Sequence, residues 1–232
     1  PPPTGAGLVS CAAMSTDIVA PPSHHASDIA ALDALAPANQ GVRAVRSGAW
    51  SDAGTWGGTV PASGSVVIPA GVGVIVDAQL SSALSSVRVD GCLEFARSQN
   101  TRLRTELLFV APGGEIWIGS PTAPISSSVT AEVSLPPTGP FNVTRDPNML
   151  GKGFVSASKT TIFGAEKTSR VRTAVAPMTG AATIALASAP SGWQVGDRLV
   201  LTGTRWVRFI PDANKINQAD GAGSAEIHIR LV

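Results

Sequence analysis

Three glycines punctuate the middle of the chain, and each joins two short apolar runs. Gly71 to Gly91 is 20 residues and Gly91 to Gly113 is 22. Val67-Ile68-Pro69-Ala70-Gly71 leads into Val72, Val74 and Val76. Val87-Arg88-Val89-Asp90-Gly91 leads into Leu93 and Phe95, and Phe109-Val110-Ala111-Pro112-Gly113 leads into Ile116 and Ile118. Alternation with a period of two puts these side chains on one face of a strand. Glycine at the turn supplies backbone angles that other residues avoid. A meander also turns at regular intervals, but similar motifs that return at a repeat-like spacing favour a coil whose like positions stack. In such a coil each unit buries its inward face against the units above and below. The stretch from Trp50 to Gly119 is therefore read as rungs of a parallel β-helix.

The rest of the composition agrees. The chain has 232 residues, with 24 Gly, 18 Pro and only 14% charged residues, against about 25% in an ordinary globular protein. Short strands closed by turn residues give that profile, and long solvated helices do not. The formal net charge is +1, so there is no basic footprint for nucleic acid or an anionic membrane. No apolar run approaches the roughly 20 residues that span a bilayer, so no transmembrane segment is expected.

The chain divides into four regions. Residues 1–26 are rich in Pro, Ala and Ser and read as a disordered leader; His24-His25 within it is weak as a metal site without a third ligand. Residues 27–41 read as a short capping helix and linker. The helix runs over 27–36, capped by Ser27 or Asp28, with Ile29, Leu32 and Leu35 on one face and Pro37 as the stop. An open end of a β-coil is a natural place for it, since unpaired edges and apolar side chains lie exposed there. Residues 42–204 form the β-helical domain. Within it, 121–151 reads as loops around a strand at Val129–Leu135, and Asn142-Val143-Thr144 is a glycosylation sequon. Strand signals return at 153–163, 170–175, 182–187 and 198–203. Residues 205–232 read as a loop-rich extension ending in a strand at Glu226–Val232, and that abrupt end suits a fragment of a longer protein.

Two cysteines are too few for a disulfide framework. Cys11 and Cys92 can form one bridge in an oxidising compartment, or Cys92 can be a buried thiol. Leu8-Val9-Ser10-Cys11 also resembles a bacterial lipoprotein box, which makes Cys11 a lipidation candidate, although Pro1-Pro2-Pro3 gives no signal-peptide start.

Five pieces occur in a distinctive order: GAWSDAGTWGGTVPASGSVVIPAGVGVIVD (48–77), LSSVRVDGCLEF (84–95), APGGEIWIG (111–119), IFGAEKT (162–168) and GWQVGDRLVLTGT (192–204). Together they resemble the eight-glycine, or G-eight, domain of vertebrate hyaluronan-processing ectodomains, of fibrocystin and of large bacterial secreted proteins. The resemblance, nearest to the bacterial secreted type, covers about residues 46–204. It implies an all-β, right-handed parallel β-helix-like solenoid, here with one short N-terminal helix. It also implies an extracellular or cell-surface location and association with polysaccharide. Larger members continue into further β-helix, whereas only 28 residues follow Thr204 here. Activity that needs the longer helix is therefore not implied.

Asp77 and Asp90 match positions linked to hyaluronan processing in the vertebrate members. Two carboxylates can serve as general acid and base in glycoside cleavage, or can hold calcium; Asp before Gly is also ordinary turn chemistry. Arg88, Arg102 and Arg104, with Glu94 and Glu106, fall on the outer face by alternation. They are glycan-binding candidates through bidentate carboxylate contacts, or a plain solvated face. Trp50, Trp56 and Trp117 are candidates for stacking on sugar rings; for Trp50 and Trp56 the competing reading is a plug at the coil's end. Trp193, in a turn before a strand, reads as packing. No Gly-x-Ser-x-Gly elbow, zinc helix, Walker loop or dinucleotide fingerprint occurs, and a Ser-His-Asp triad would depend on His228 alone.

Three functions follow. The preferred one is a module that binds or scaffolds extracellular polysaccharide. The alternatives are a glycan-degrading enzyme using Asp77 and Asp90, and a structural subunit of a surface fibre or adhesin with homo-oligomer contacts through its termini. No cofactor is expected apart from calcium, which Asp77 and Asp90 could hold.

Overall fold

The computed structural model describes residues 25–136, 139–178 and 180–201, and the backbone of 225–227. The chain forms two compact units, one through Ala165 and one from Glu166.

Among the described residues, the first unit holds one α-helix, a short 3-10 turn at Ala53–Trp56 and eleven strands. Helix α1 spans Ala26–Leu35. The strands are β1 (Val42–Arg43), β2 (Gly48–Ala49), β3 (Ser65–Ile68), β4 (Gly73–Val76), β5 (Leu84–Val89) and β6 (Cys92–Phe95). They continue with β7 (Thr101–Val110), β8 (Glu115–Ile118), β9 (Ala131–Ser134), β10 (Gly153–Ser156) and β11 (Lys159–Ile162). One sheet has the order β1-β3-β5-β7-β10 and the other β11-β8-β6-β4-β2. Every pairing between these strands is parallel. The chain thus crosses from one sheet to the other through its first eight strands, and two strands joined by a turn are never hydrogen-bonded to each other. This rules out the meander, whose neighbours pair antiparallel. β7 is long enough to serve twice: Thr101–Arg104 pairs with β9, and Leu107–Val110 pairs with β10.

The core lies between the sheets. Val66, Ile68, Val87, Val89, Leu108 and Val110 come from one, and Val74, Val76, Leu93, Phe95, Ile116 and Ile118 from the other. Like positions stack in register, Val74 beside Leu93 and Leu93 beside Ile116. Each such side chain contributes about 1.5–3 kcal/mol relative to exposure, so the recurring alternation is what the fold rests on.

The three glycines all fall at the corner where the chain leaves the first sheet for the second, but they do two different jobs. Gly71 and Gly113 have φ of 80° and 86°, the left-handed region. Gly91 is needed for space: a Cβ there would lie 2.2 Å from the Val72 carbonyl oxygen. Gly114 is its structural counterpart, with a Cβ position 2.1 Å from the Val89 oxygen. The cause is hydrogen bonding between successive corners. Cys92 N–H donates to Val72 O at 2.9 Å, and Glu115 N–H to Gly91 O at 2.8 Å.

The helix differs from expectation in its start and its place. It begins one residue earlier, with His25 rather than Ser27 or Asp28 at the N-cap and no side-chain cap bond. It lies on the outer face of the first sheet, not at an end of the stack. Leu32 and Ala36 pack with Leu107, Phe109 and Ala111, flanked by Leu35, Leu150 and Val155. Two large apolar residues on the outward side of β7 and the parts following it create that docking face, and Pro37 ends the helix beyond it.

In the second unit the expected strands over 170–175 and 182–187 reduce to an isolated antiparallel bridge between Thr173 and Leu186. β12 (Leu199–Leu201) pairs antiparallel with β13 (Ala225–Ile227). The remainder of the expected terminal strand, with His228, lies outside the described residues, as do residues 1–24 with Cys11 and His24; His25 and Ala26, expected to end the leader, instead cap and begin α1. Lys167 pairs with Asp197 at 2.6 Å, and Trp193 Nε1 donates to Thr168 O at 2.6 Å, which makes Trp193 a packing residue of this unit.

Candidate functional site

Alternation correctly sends Arg88 outward from β5, but it meets α1 there instead of solvent. Its Nε donates to both Asp90 carboxylate oxygens at 2.9 Å. Its Nη1 donates to Asp33 Oδ1 at 2.5 Å and to Ala36 O at 3.0 Å, and its guanidinium carbon lies 5.3 Å from the Phe109 ring centre. Arg88 is 8% exposed. Burial alone would lower its pKa; the hydrogen bonds it donates to Asp90 and Asp33, and their charges, raise it, so it stays charged. Arg88 and Asp90 therefore clasp the helix to the sheet, and neither is available to a glycan.

Asp77 is at the other edge. It follows β4, and its carboxylate accepts from Ser51 N–H at 3.0 Å and from Ser51 Oγ at 2.5 Å; Gln99 donates to its carbonyl. β4 and β6 pair Gly73 with Cys92 and Val76 with Phe95, so Asp90 precedes that block and Asp77 follows it. A four-residue strand alone is roughly 13 Å long, beyond the ~5–9.5 Å of two-carboxylate glycosidases. The structure does not bring these carboxylates together, either as an acid–base pair or as a calcium cage. Among the described residues no group of three or more His, Cys, Asp or Glu is placed to hold a metal ion.

The tryptophans are also occupied. Trp50 and Trp56 are core residues, 0% and 6% exposed, packed edge to face with ring centres 4.8 Å apart. Trp56 Nε1 donates to Trp50 O at 2.7 Å. Both rings belong to the core between the sheets, and neither offers a platform for sugar. Trp117 is half-buried on the outward side of β8, as alternation expects, but Lys159 Nζ stands 4.4 Å from its ring centre and its Nε1 donates to Glu115 at 2.8 Å. Arg102 pairs with Glu132 at 2.7 Å, and Arg104 donates to Ser81 O at 2.7 Å. Cys92 is disulfide-bonded and wholly buried, so it is not the buried thiol.

A cleft of about 320 Å³ opens elsewhere on the first unit, on the outer face of the first sheet beside the end of α1. Its floor follows from register. Ser65 on β3, Ser86 on β5 and Leu107 on β7 are lateral neighbours, and Gly153 on β10 continues the row. Small side chains in three of these four positions leave a depression next to Leu35. One residue earlier on their strands, Ser85 and Glu106 line its rim.

The 139–152 loop forms the opposite wall. Asn142 O accepts from Arg145 N at 3.0 Å and from Asp146 N at 2.8 Å. The buried Asp146 carboxylate accepts from Leu150 N at 2.8 Å and Gly151 N at 2.7 Å. Met149 sits at φ 54° in this turn. The result is a preformed wall that brings Phe141 and Arg145 to the cleft, with Lys152 Nζ 5.5 Å from the Phe141 ring centre. Among the described residues, the hydroxyls of Ser65, Ser85 and Ser86, the Glu106 carboxylate and the Arg145 guanidinium have no hydrogen-bond partner. Three hydroxyls, one acid, one base and an aromatic ring thus converge on one concavity, the arrangement of a small-molecule site at the low end of the usual size range, about 300 Å³.

Sequence reading missed this cleft. Its floor is spread over four strands, and small polar residues on an outward face carry no signal until register aligns them. The turn formers of Asn142–Asn148, charged in a chain otherwise poor in charge, were the available clue.

The family model described as "G8 domain" matches residues 55–176. The comparisons with curated proteins and with solved structures give no match.

Proposed function

Since the chain belongs to the G8 domain family, we propose that it is an extracellular module that binds polysaccharide, built as a right-handed parallel β-helix. Alternation of successive strands between two parallel sheets supports the β-helix. The observation that carries the binding reading is the cleft, in which unpaired hydroxyls, Glu106 and Arg145 face a concavity beside Phe141. Sugars need this chemistry: hydroxyls that both donate and accept, and an apolar C–H face that packs on an aromatic ring. A preformed wall lowers the ordering cost of binding.

The module binds its glycan and leaves it intact. Hydrolysis needs two carboxylates flanking the bond. The cleft has Glu106 free, whereas both oxygens of Asp146 are engaged by backbone N–H groups. A glycan array followed by calorimetry on the purified chain tests the reading. Binding to at least one oligosaccharide, with no release of reducing ends on prolonged incubation, is the expected result. Failure to bind any glycan, neutral or acidic, overturns it.

A further inference from the structure

We infer that the unit held in the cleft is an uncharged sugar ring and not a uronate or sulfated one. This rests on the polysaccharide-binding reading above and narrows it. Four charged residues line the cleft: Arg145, Lys152, Glu106 and Asp146. Two of them are committed to holding the loop. Asp146 accepts from Leu150 N and Gly151 N, and Lys152 Nζ donates to the Gly139 carbonyl at 2.7 Å. That leaves Glu106 and Arg145, one acceptor-only and one donor-only group of opposite sign, with the three serine hydroxyls between these extremes.

The formal charge of the lining sums to zero, so no field favours an anion. An anionic sugar would meet the attraction of Arg145 and Lys152 and, in the same small concavity, the repulsion of Glu106 and Asp146, so its charge gains no net partner to offset its desolvation. A like charge at close range is disfavoured, all the more where water is partly excluded. A neutral ring satisfies every free group at once. Its hydroxyls donate to Glu106, accept from Arg145 and do either with Ser65, Ser85 and Ser86.

Calorimetry with neutral oligosaccharides (gluco-, xylo- and manno-oligosaccharides) and with uronate oligosaccharides, each at low and high salt, tests this. Neutral ligands are expected to bind with affinity that changes less than about twofold with salt, because no ion pair is screened. Glu106→Ala and Arg145→Ala are each expected to weaken that binding roughly tenfold or more, the worth of a hydrogen bond to a charged group. Neither side chain has a partner among the described residues, so both variants should melt as the parent does. Ser65→Leu, which fills the floor, gives an independent block. Glu106→Ala removes a like charge and is expected to tighten uronate binding; preference of the parent for uronate ligands with strong salt dependence, or no gain in uronate binding in Glu106→Ala, overturns the neutral assignment and leaves polysaccharide binding standing. Binding of neither class overturns both.

Discussion

Arg88 shows how far a single residue can be read before folding. Alternation places it outward on β5, and that is where it lies; what alternation cannot supply is α1, which comes from more than 50 residues away in sequence to cover that face. Its role as helix clasp makes a sharp prediction. Arg88→Ala leaves Asp90 and the Ala36 carbonyl without their partner at a nearly buried site, and should cost about 3 kcal/mol in urea unfolding, the usual penalty for breaking a buried pair from one side. Asp33→Ala should cost no more than about 1 kcal/mol, since the Asp33 side chain is 49% exposed. Equal and small losses in both variants would contradict the clasp. Gly91 carries a second residue-scale prediction. Any Cβ there meets the Val72 carbonyl at 2.2 Å, a backbone atom that cannot swing aside. Gly91→Ala should lose several kcal/mol, in the range reserved for real structural damage. Gly64→Ala, where a Cβ meets nothing within 4 Å and only the positive φ is at stake, should lose about 1–2 kcal/mol. Comparable melting temperatures for the two variants would mean the corner yields more easily than its hydrogen bonds imply.

The elements divide into those whose partners are local in the repeat and those whose partners are not. The strands from β3 to β8 were legible because each carries its own period-two pattern and a turn glycine, and because the pattern recurs. The helix was legible as a helix but not in its place, since Ile29, Leu32 and Leu35 say that it packs without saying on what. The 139–152 loop was legible only as a loop; its use as a cleft wall depends on the Asp146 turn and on the row of small residues opposite. The turn Ala53–Trp56 is held by Asp52, which accepts from Gly54 N–H at 2.8 Å and pairs with Arg46 at 2.5 Å. The Gly54 hydrogen bond above all holds the Asp52 carboxyl below its ordinary 3.8; desolvation opposes it, and the charge and hydrogen bond of Arg46 add to the lowering. A carboxyl whose pKa is depressed by folding contributes stability that is present above its unfolded value and lost as pH falls through the folded one. Melting of the first unit should therefore decline below pH 3.8, and Asp52→Asn should flatten that decline while lowering stability at neutral pH. An unchanged acid slope in Asp52→Asn would remove Asp52 from the account. Asp197, depressed in the same direction chiefly by its hydrogen bond from Lys167, acts in the second unit, so Asp197→Asn serves as the comparison.

For the whole molecule, the stack was readable and the site was not, and the reason is the same in both cases. A repeated strand pattern writes its architecture many times over, whereas the cleft is assembled once, from one position on each of several strands. Covalent closure is a third property at this scale. Cys92 points outward from β6 by alternation, yet it is 0% exposed and disulfide-bonded. The chain has two cysteines, so Cys11 is the one available within it. A peptide map without reduction is expected to give a single species joining the Cys11 and Cys92 peptides, with no alkylation of either residue before reduction. On the chain-entropy estimate, closing a loop of that length is worth roughly 4 kcal/mol, so Cys92→Ser should lower stability by an amount of that order. The same bond bears on where the protein works. A sulfur in a disulfide cannot also carry the thioether of a lipid anchor, so the linked peptide would exclude acylation at Cys11 and favour a protein matured in an oxidising compartment. A disulfide-linked dimer on a non-reducing gel, or a Cys11 peptide carrying lipid, would instead break the intrachain assignment and restore attachment to a membrane surface through that residue.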